Sequence, residues 1–288
     1  MNLGVALGNL ALTSVGPIEP AAHAALVYRL GDAAERLGFH SVWAGDHLAL
    51  PRHPTTPYPY GPSSTLAADR SLLDPFAVLA ALAGRTRRVR LGFGVLVLPY
   101  RHPLVAAKGI ASLDALSGGR VILGVGSGWM PEEFAAVGAD FARRGADSDA
   151  GLRYLRRAFS DGEVDGMTIL PTPIQRPGPP IWVGGNAPAA MRRAVELGDG
   201  WDALSVAPDT LRAGVDRIRH LCRDAGREPS SLVLSVRGLA ADTVDDHVLH
   251  AYAALGVSHV GVTLPIGDGD RELTSLENLA ARCARHLE

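Results

Sequence analysis

Cysteine is scarce in this sequence, with two among 288 residues. Cys222 and Cys283 fall at apolar positions of predicted helices, which indicates buried thiols in a reducing cytoplasm. Neither a disulfide nor a metal site is expected. Met1 leads directly into a strand-like segment, without the basic start and cleavage site of a secretory signal, so we expect a cytoplasmic protein.

Long apolar runs and a strong charge imbalance are also missing. No apolar run reaches the roughly 18 residues of a membrane-spanning helix. The formal net charge is −2, so there is no general basic field, and neither a membrane nor nucleic acid is expected as a partner. Hydrophobic residues make up 47% of the chain, which is enough for a large core and argues against disorder.

Several familiar catalytic patterns are absent as well. No serine lies in a nucleophile elbow, no two carboxylates stand out as an acid–base pair, and no His, Cys or Asp cluster has metal-ligand spacing. The first predicted strand does not open onto a helix through a G-x-G-x-x-G motif, which disfavours a dinucleotide-binding sheet. We therefore expect a bound organic cofactor to carry the chemistry.

What the sequence does contain is a repeated strand–helix unit, which is clearest at residues 88–129. An apolar run over residues 89–98 stops at Pro99, a helical segment ends at the 117–119 Ser-Gly-Gly, and a second apolar run covers 121–125. Both runs are apolar at successive positions, which is typical of parallel strands buried on both faces.

Eight such units fit the chain. The predicted strands cover residues 3–7, 41–44, 89–98, 121–125, 180–183, 201–205, 232–236 and 259–262. Regular alternation predicts a parallel sheet with right-handed crossovers, and eight units favour a closed (β/α)8 barrel in one domain, 1–288. An open doubly wound sheet is the alternative.

Two connections depart from the regular alternation. A proline- and tyrosine-rich loop follows strand two, at residues 48–72, and is either a lid over the site or a variable surface loop. Residues 161–173 are rich in turn formers and predict a small hairpin about Asp165-Gly166.

Active sites of such barrels lie at the carboxyl ends of the strands, so polar residues there are the candidates. His47 follows strand two and could act as a base, hydrogen-bond a cofactor, or only bind its own loop. The segment 184–186, Gly-Gly-Asn, opens a helix and reads equally as a phosphate site or as a tight turn. Gly126-Ser127-Gly128 has the same two interpretations, and the hydroxyl of Ser127 would be an additional hydrogen-bond donor to a phosphate.

Other strand-end residues have two open interpretations. Arg101 and His102 either contact a phosphate or sit at the rim, and Arg237 ends the seventh strand. Trp129 could wall a flat ring or pack in the rim, and the tyrosines of the 48–72 loop could cover the site. His40 lies at the opposite end of the barrel, which favours a structural role.

Several segments resemble the luciferase-like monooxygenase superfamily, the bacterial-luciferase type of barrel. The resemblance covers most of the chain and lies in residues 91–103, 113–120, 124–129, 132–134, 179–186 and 198–201. The segments look most like the branch that uses the deazaflavin coenzyme F420, and less like the FMN branch. The resemblance implies an oxidoreductase that transfers hydride between F420 and a small organic substrate, in a protein that is often a homodimer. An FMN-dependent monooxygenase and a non-catalytic flavin-binding barrel are the alternatives.

The resemblance also implies roles for individual residues. A non-prolyl cis peptide between Gly94 and Val95 would lie behind the cofactor ring. Asp46 would hydrogen-bond the polar edge of the ring, and His47 would lie near its reactive face. A channel for the cofactor would be lined by Gly126, Ser127 and Gly128. The phosphate of the cofactor would be held by Gly184, Gly185 and Asn186.

Two departures from the family pattern bear on the reaction. Trp129 stands where the deazaflavin sugar-phosphate dehydrogenases of the superfamily have a glutamate that serves as acid, so that activity is not expected. Residues 161–173 look shorter than the usual insertion between strands four and five, which implies a reduced lid and a more open pocket.

Overall fold

The computed structural model of this chain describes residues 1–7, 19–59, 72–265 and 269–287. The strands in chain order are β1 (Asn2–Ala6), β2 (Ser41–Ala44), β3 (Arg90–Phe93), β4 (Leu96–Val97), β5 (Val121–Gly126), β6 (Glu163–Val164), β7 (Met167–Thr168), β8 (Ile181–Gly184), β9 (Gly200–Leu204), β10 (Val233–Ala240) and β11 (His259–Thr263). Eight of them form a closed parallel barrel in the order β1-β2-β3-β5-β8-β9-β10-β11, and β11 pairs with β1. The predicted (β/α)8 barrel is therefore confirmed.

Helices surround the barrel. They are α1 (Pro20–Leu37), α2 (Pro75–Arg85), α3 (Pro103–Ser117), α4 (Pro131–Ala136), α5 (Arg144–Asp161), α6 (Pro188–Leu197), α7 (Pro208–Asp224), α8 (Asp246–Ala253) and α9 (Asp270–Arg282). Most begin at a proline, whose missing N–H would have no intrahelical partner in the first turn. Within the described ranges, no helix is both long enough and apolar enough to cross a membrane.

Some predicted boundaries shift in the structure. The strand predicted over 89–98 is interrupted at Gly94-Val95, and β4 resumes pairing with β5 beyond that point. The polar composition of residues 138–148 predicts a connecting stretch, followed by a helix to about Phe159. The structure instead begins α5 at Arg144, with its polar face turned to solvent. The predicted hairpin is confirmed: β6 and β7 pair antiparallel, and Asp165 and Gly166 both have positive φ angles.

Two tryptophans and a histidine fill the centre of the barrel. The ring of Trp43 lies 5.5 Å from that of Trp182 and 5.3 Å from that of His259. Inward-facing glycines on neighbouring strands leave the space for these rings, since a Cβ at Gly92 or Gly124 would overlap Trp43 or the carbonyl oxygen of Phe93. Because these rings fill the centre, the space for a ligand within the described part of the barrel lies toward the carboxyl ends of the strands.

Candidate active site

A cavity of about 730 Å³ lies at the carboxyl ends of the strands. Its volume is in the range of small-molecule sites. All of the residues proposed from the sequence as catalytic or cofactor-binding line it, namely Asp46, His47, Gly94, Val95, Gly126, Ser127, Gly128, Gly184, Gly185 and Asn186. The fold thus brings together residues from β2, β3, β5 and β8, although the individual roles of these residues stay predictions.

His47 is oriented by a buried carboxylate. Its Nδ1 lies 2.8 Å from Oε2 of Glu133, which is 2% exposed. Because a carboxylate only accepts hydrogen bonds, we assign the proton of the neutral ring to Nδ1, and Nε2 is then the nitrogen with a free lone pair. This arrangement suits proton transfer at Nε2, as in carboxylate–histidine pairs of hydrolases.

Glu133 accepts further hydrogen bonds that keep it charged. The main-chain N–H of Leu48 donates to Oε1 at 2.7 Å, and the hydroxyl of Tyr100 donates to Oε2 at 3.0 Å. Burial alone would raise the pKa of the Glu133 carboxyl, but these bonds and the one from His47 outweigh burial, so its pKa lies below the ordinary value. Burial is also the main cause of the raised pKa of Tyr100.

Asp46 forms a buried ion pair beside the cavity. Its carboxylate is fully covered and forms a two-pronged ion pair with Arg101, at 2.7 and 2.9 Å. The main-chain N–H of Val97 donates to the same carboxylate at 2.8 Å. These contacts tie Asp46 to Arg101 and to the main chain of β4, and its contact with a ring edge stays a prediction. Arg101 is held by this pair, and His102 caps α3 by accepting from the N–H of Leu104.

The wall behind the cavity is formed by Gly94 and Val95. The peptide bond between them is cis, as predicted from the resemblance. Val95 occupies the space left by two glycines on neighbouring strands: a Cβ at Gly126 or Gly184 would lie 2.6 or 2.8 Å from its methyl groups. The result is an apolar wall that carries no polar side chain.

The Gly184–Asn186 segment leads from the end of β8 toward α6, and its asparagine is tied to the next strand. The amide of Asn186 donates to the carbonyl of Leu204 at 2.8 Å and accepts from its N–H at 2.9 Å. One amide N–H of Asn186 is thus committed to Leu204, and a role of this residue in holding a phosphate stays a prediction. α6 starts just beyond this segment, at the cavity, and its first turn has no side-chain cap. The main-chain N–H groups of this helix start are the better candidates for an anion.

Aromatic side chains form the mouth of the cavity beside His47. The ring of Trp129 lies 6.0 Å from that of His47 and 5.4 Å from that of Tyr58, both edge to face. Tyr58 lines the cavity, so the part of the 48–72 loop that the structure describes reaches the site. Tyr60 lies outside the described residues.

A second glutamate holds this loop against α4. Oε1 of Glu132 accepts from the N–H groups of Thr55 and Thr56, each at 3.1 Å, and the two threonine hydroxyls donate to the same carboxylate. Burial would raise the pKa of Glu132, but these hydrogen bonds outweigh it and lower the pKa to about 2. Consecutive glutamates on α4 thus fix the start and the middle of the loop.

We expect Glu132→Gln to loosen this loop at neutral pH, because it removes the charge that strengthens four hydrogen bonds. Hydrogen exchange at the amides of Thr55 and Thr56 should become about 5- to 10-fold faster, as expected for a loss of about 1 kcal/mol. In the wild type, the same protection should be complete above the ordinary pKa of the carboxyl, 4.5, and should decline as the pH falls from there toward about 2. Glu196→Gln, at an exposed ion pair, is the control, and unchanged exchange in Glu132→Gln would contradict the role of this carboxylate.

Sequence reasoning missed a polar chain inside the barrel. Nη2 of Arg237 lies 2.6 Å from Oδ2 of Asp202, and the hydroxyl of Ser235 donates to Oδ1 of Asp202 at 2.9 Å. His259 continues the chain, with Nδ1 3.2 Å from Ser235 and Nε2 2.8 Å from the hydroxyl of Ser41. The alternation on β10, where Ser235 and Arg237 flank an apolar residue, was the available signal, since alternate residues of a strand share a face.

Burial governs the ionisation of these groups. It raises the pKa of Asp202, although the charge of Arg237 opposes the rise. It lowers the pKa of His259 well below the usual value, and the nearby His40 and Arg237 add to this effect. His259 is therefore neutral and serves as a hydrogen-bonding element of the core.

The family model of the luciferase-like monooxygenases matches residues 2–268. This chain belongs to that family. An uncharacterized protein of Mycobacterium tuberculosis is 36% identical over 231 residues, 75% of this chain and 78% of the relative. The phthiodiolone/phenolphthiodiolone dimycocerosates ketoreductase of Mycobacterium kansasii is 30% identical over 250 residues, 81% of this chain and 68% of the relative.

Solved structures share the fold of this luciferase-like chain. Monooxygenase RslO1 from Streptomyces bottropensis has a TM-score of 0.76 with 23% identity, and the match covers 99% of both chains. An F420-dependent secondary alcohol dehydrogenase, in complex with an F420-acetone adduct, has a TM-score of 0.72 with 16% identity, over 100% of this chain and 99% of that one. At this level of identity the likeness is one of fold.

Proposed function

We propose that this luciferase-like chain is an oxidoreductase that transfers hydride between coenzyme F420 and a small ketone or secondary alcohol. The observation that carries the proposal is the pairing of His47 with the buried carboxylate of Glu133 at the edge of an apolar cavity. Interconversion of a ketone and an alcohol needs one proton besides the hydride, and an oriented histidine can supply it. The ketoreductase relative and the F420-dependent alcohol dehydrogenase of the same fold support this substrate class.

The residues of the cavity fit a flavin-type cofactor. Val95 and the neighbouring glycines offer an apolar wall against which a flat ring would lie. The uncapped start of α6, with Gly185 beside it, would hold a phosphate through main-chain N–H groups. Ser127 and Gly128 would line the path between these two places.

When bound, coenzyme F420 supplies a two-electron hydride donor or acceptor. His47 acts as the general base: its Nε2 accepts the hydroxyl proton of an alcohol, and the carboxylate of Glu133 stabilises the imidazolium that forms. In the opposite direction the imidazolium returns this proton to the ketone oxygen. Trp129 and Tyr58 cover the same side of the cavity and keep bulk water away from His47.

Parallel titrations with F420 and FMN test this assignment. We expect F420 fluorescence to be quenched and polarised on binding, and the absorbance of F420 to change on adding a secondary alcohol or, for the reduced form, a ketone. Binding of FMN but not of F420, with reductase-dependent oxygen consumption, would instead establish a monooxygenase. Tight binding without any turnover would indicate a flavin-binding barrel that is not catalytic.

A further inference from the structure

Arg237 is a buried cation at the floor of the cavity. It extends from β10 into the barrel, lines the cavity and is 6% exposed. Its guanidinium carbon lies 5.4 Å from the centre of the Trp43 ring, so the aromatic layer of the barrel supports it from below. Its Nη1 packs against Gly94, where a Cβ would overlap it. The charge is thus held at the base of the wall formed by Gly94 and Val95.

Most of the donors of this guanidinium are unused within the described part of the chain. Nη2 pairs with Asp202, whereas Nε and Nη1 are buried and have no hydrogen-bond partner there. Leaving buried donors unpaired is costly. Two other arginines are more fully paired: the guanidinium of Arg120 donates through Nε, Nη1 and Nη2, mostly to main-chain carbonyls, and that of Arg101 is paired with Asp46 through both Nη atoms.

The ion pair between Asp202 and Arg237 joins one oxygen to one nitrogen. Oδ2 of Asp202 lies 2.6 Å from Nη2 of Arg237, while Oδ1 accepts from the hydroxyl of Ser235. Two-point pairing is the usual choice where an arginine serves only to pair with a carboxylate. Asp202 instead anchors one end of the guanidinium and holds the group at the cavity floor.

We propose that Arg237 is a ligand-binding residue that donates hydrogen bonds to a carbonyl oxygen on which negative charge resides or develops. This inference rests on the proposed function, and it adds a recognition site on the floor of the cavity to the proton-transfer site at its mouth. The oxygen belongs either to the pyrimidine-like edge of the cofactor ring or to the ketone substrate. Both present the same chemistry to a guanidinium, and a buried cation stabilises such charge more strongly than one in water does. Asp202 acts as the positioning residue.

The test compares Arg237→Met with Arg237→Lys. Because Arg237→Met leaves the carboxylate of Asp202 buried without a cation, the double variant Arg237→Met/Asp202→Asn provides a second form with no buried charge, in which the introduced amide still accepts from Ser235. The Kd values for F420 and FMN are measured by fluorescence without turnover, and KM and kcat for a ketone are measured separately. Arg217→Met, on α7, is the surface control.

We expect the Met variants to bind the ligand that carries this oxygen about 10- to 100-fold more weakly, since a hydrogen bond to a charged group contributes that factor to affinity. A weaker Kd for the cofactor in both Met variants, partly restored in Arg237→Lys, assigns the oxygen to the ring. An unchanged cofactor Kd with a raised KM for the ketone assigns it to the substrate. Wild-type values of Kd, KM and kcat in both Met variants would overturn the inference while leaving the proposed function in place. A wild-type protein that binds neither cofactor would overturn both proposals.

Discussion

Replacing His47 by glutamine is expected to lower kcat for alcohol oxidation by about 10²- to 10⁴-fold, which is the usual contribution of a positioned general acid–base group. Glutamine keeps an amide that can still donate to Glu133, so the loop and the cavity should persist. It cannot, however, take up a proton at the place of Nε2. The Kd for F420, measured by fluorescence, should change by less than about threefold, at the low end of the factor of about 2 to 12 that a single lost hydrogen bond causes. Steady-state and single-turnover absorbance changes of F420 give the rates.

Companion variants separate proton transfer from structure. Glu133→Gln should lower kcat by about 10- to 100-fold, because it removes the charge that stabilises the imidazolium. His102→Gln is the matched control, since His102 is exposed, caps α3 and does not line the cavity, and it should leave kcat unchanged. Added imidazole should restore part of the activity of His47→Ala. A wild-type kcat in the His47→Gln protein would contradict the assignment of His47 as the proton-transfer group.

Replacing Gly124 by alanine is expected to destabilise the protein by about 3 kcal/mol, at the upper end for overpacking in a core. The added methyl group would overlap the carbonyl oxygen of Phe93, and it would also lie 3.5 Å from the ring of Trp43. Neither neighbour can yield easily, because one is main chain of an adjacent barrel strand and the other is a fully buried tryptophan. The Tm should fall by roughly 6–12 °C, taking about 2–4 °C for each kcal/mol in a domain of this size.

The matched control for this substitution is Gly84→Ala. Gly84 lies in α2 and is exposed, and a Cβ there meets no atom within 4 Å. Since alanine is a better helix former than glycine, this variant should be more stable than the wild type by about 0.5–1 kcal/mol. Differential scanning calorimetry or a denaturant melt distinguishes the two. Equal Tm values for Gly124→Ala and the wild type would show that the barrel interior is not packed as described.

Much of the fold followed from local patterns. The apolar strand runs and the turn residues that end the units predicted eight strand–helix units, and the structure places all eight strands in one barrel. The exceptions were also local in origin. α5 begins earlier than predicted because an exposed polar face resembles a loop in composition, and the strand over 89–98 is divided at Gly94-Val95. Since a (β/α)8 barrel places the carboxyl ends of all its strands on one face, the candidate residues were also predicted to line one cavity.

The sequence by itself determined the order of strands and helices, the position of the cavity and the ten residues proposed to line it. These features depend on periodicity and on turn chemistry, which act over a few residues. Only the tertiary structure decided which polar side chains pair. Glu133 is hydrogen-bonded to His47, which is 86 positions away in the sequence, and Asp46 is paired with Arg101, which is 55 positions away. Arg237 is left at the cavity floor with unused donors. Such pairings depend on the radial position of each side chain within the closed barrel, which no local pattern specifies.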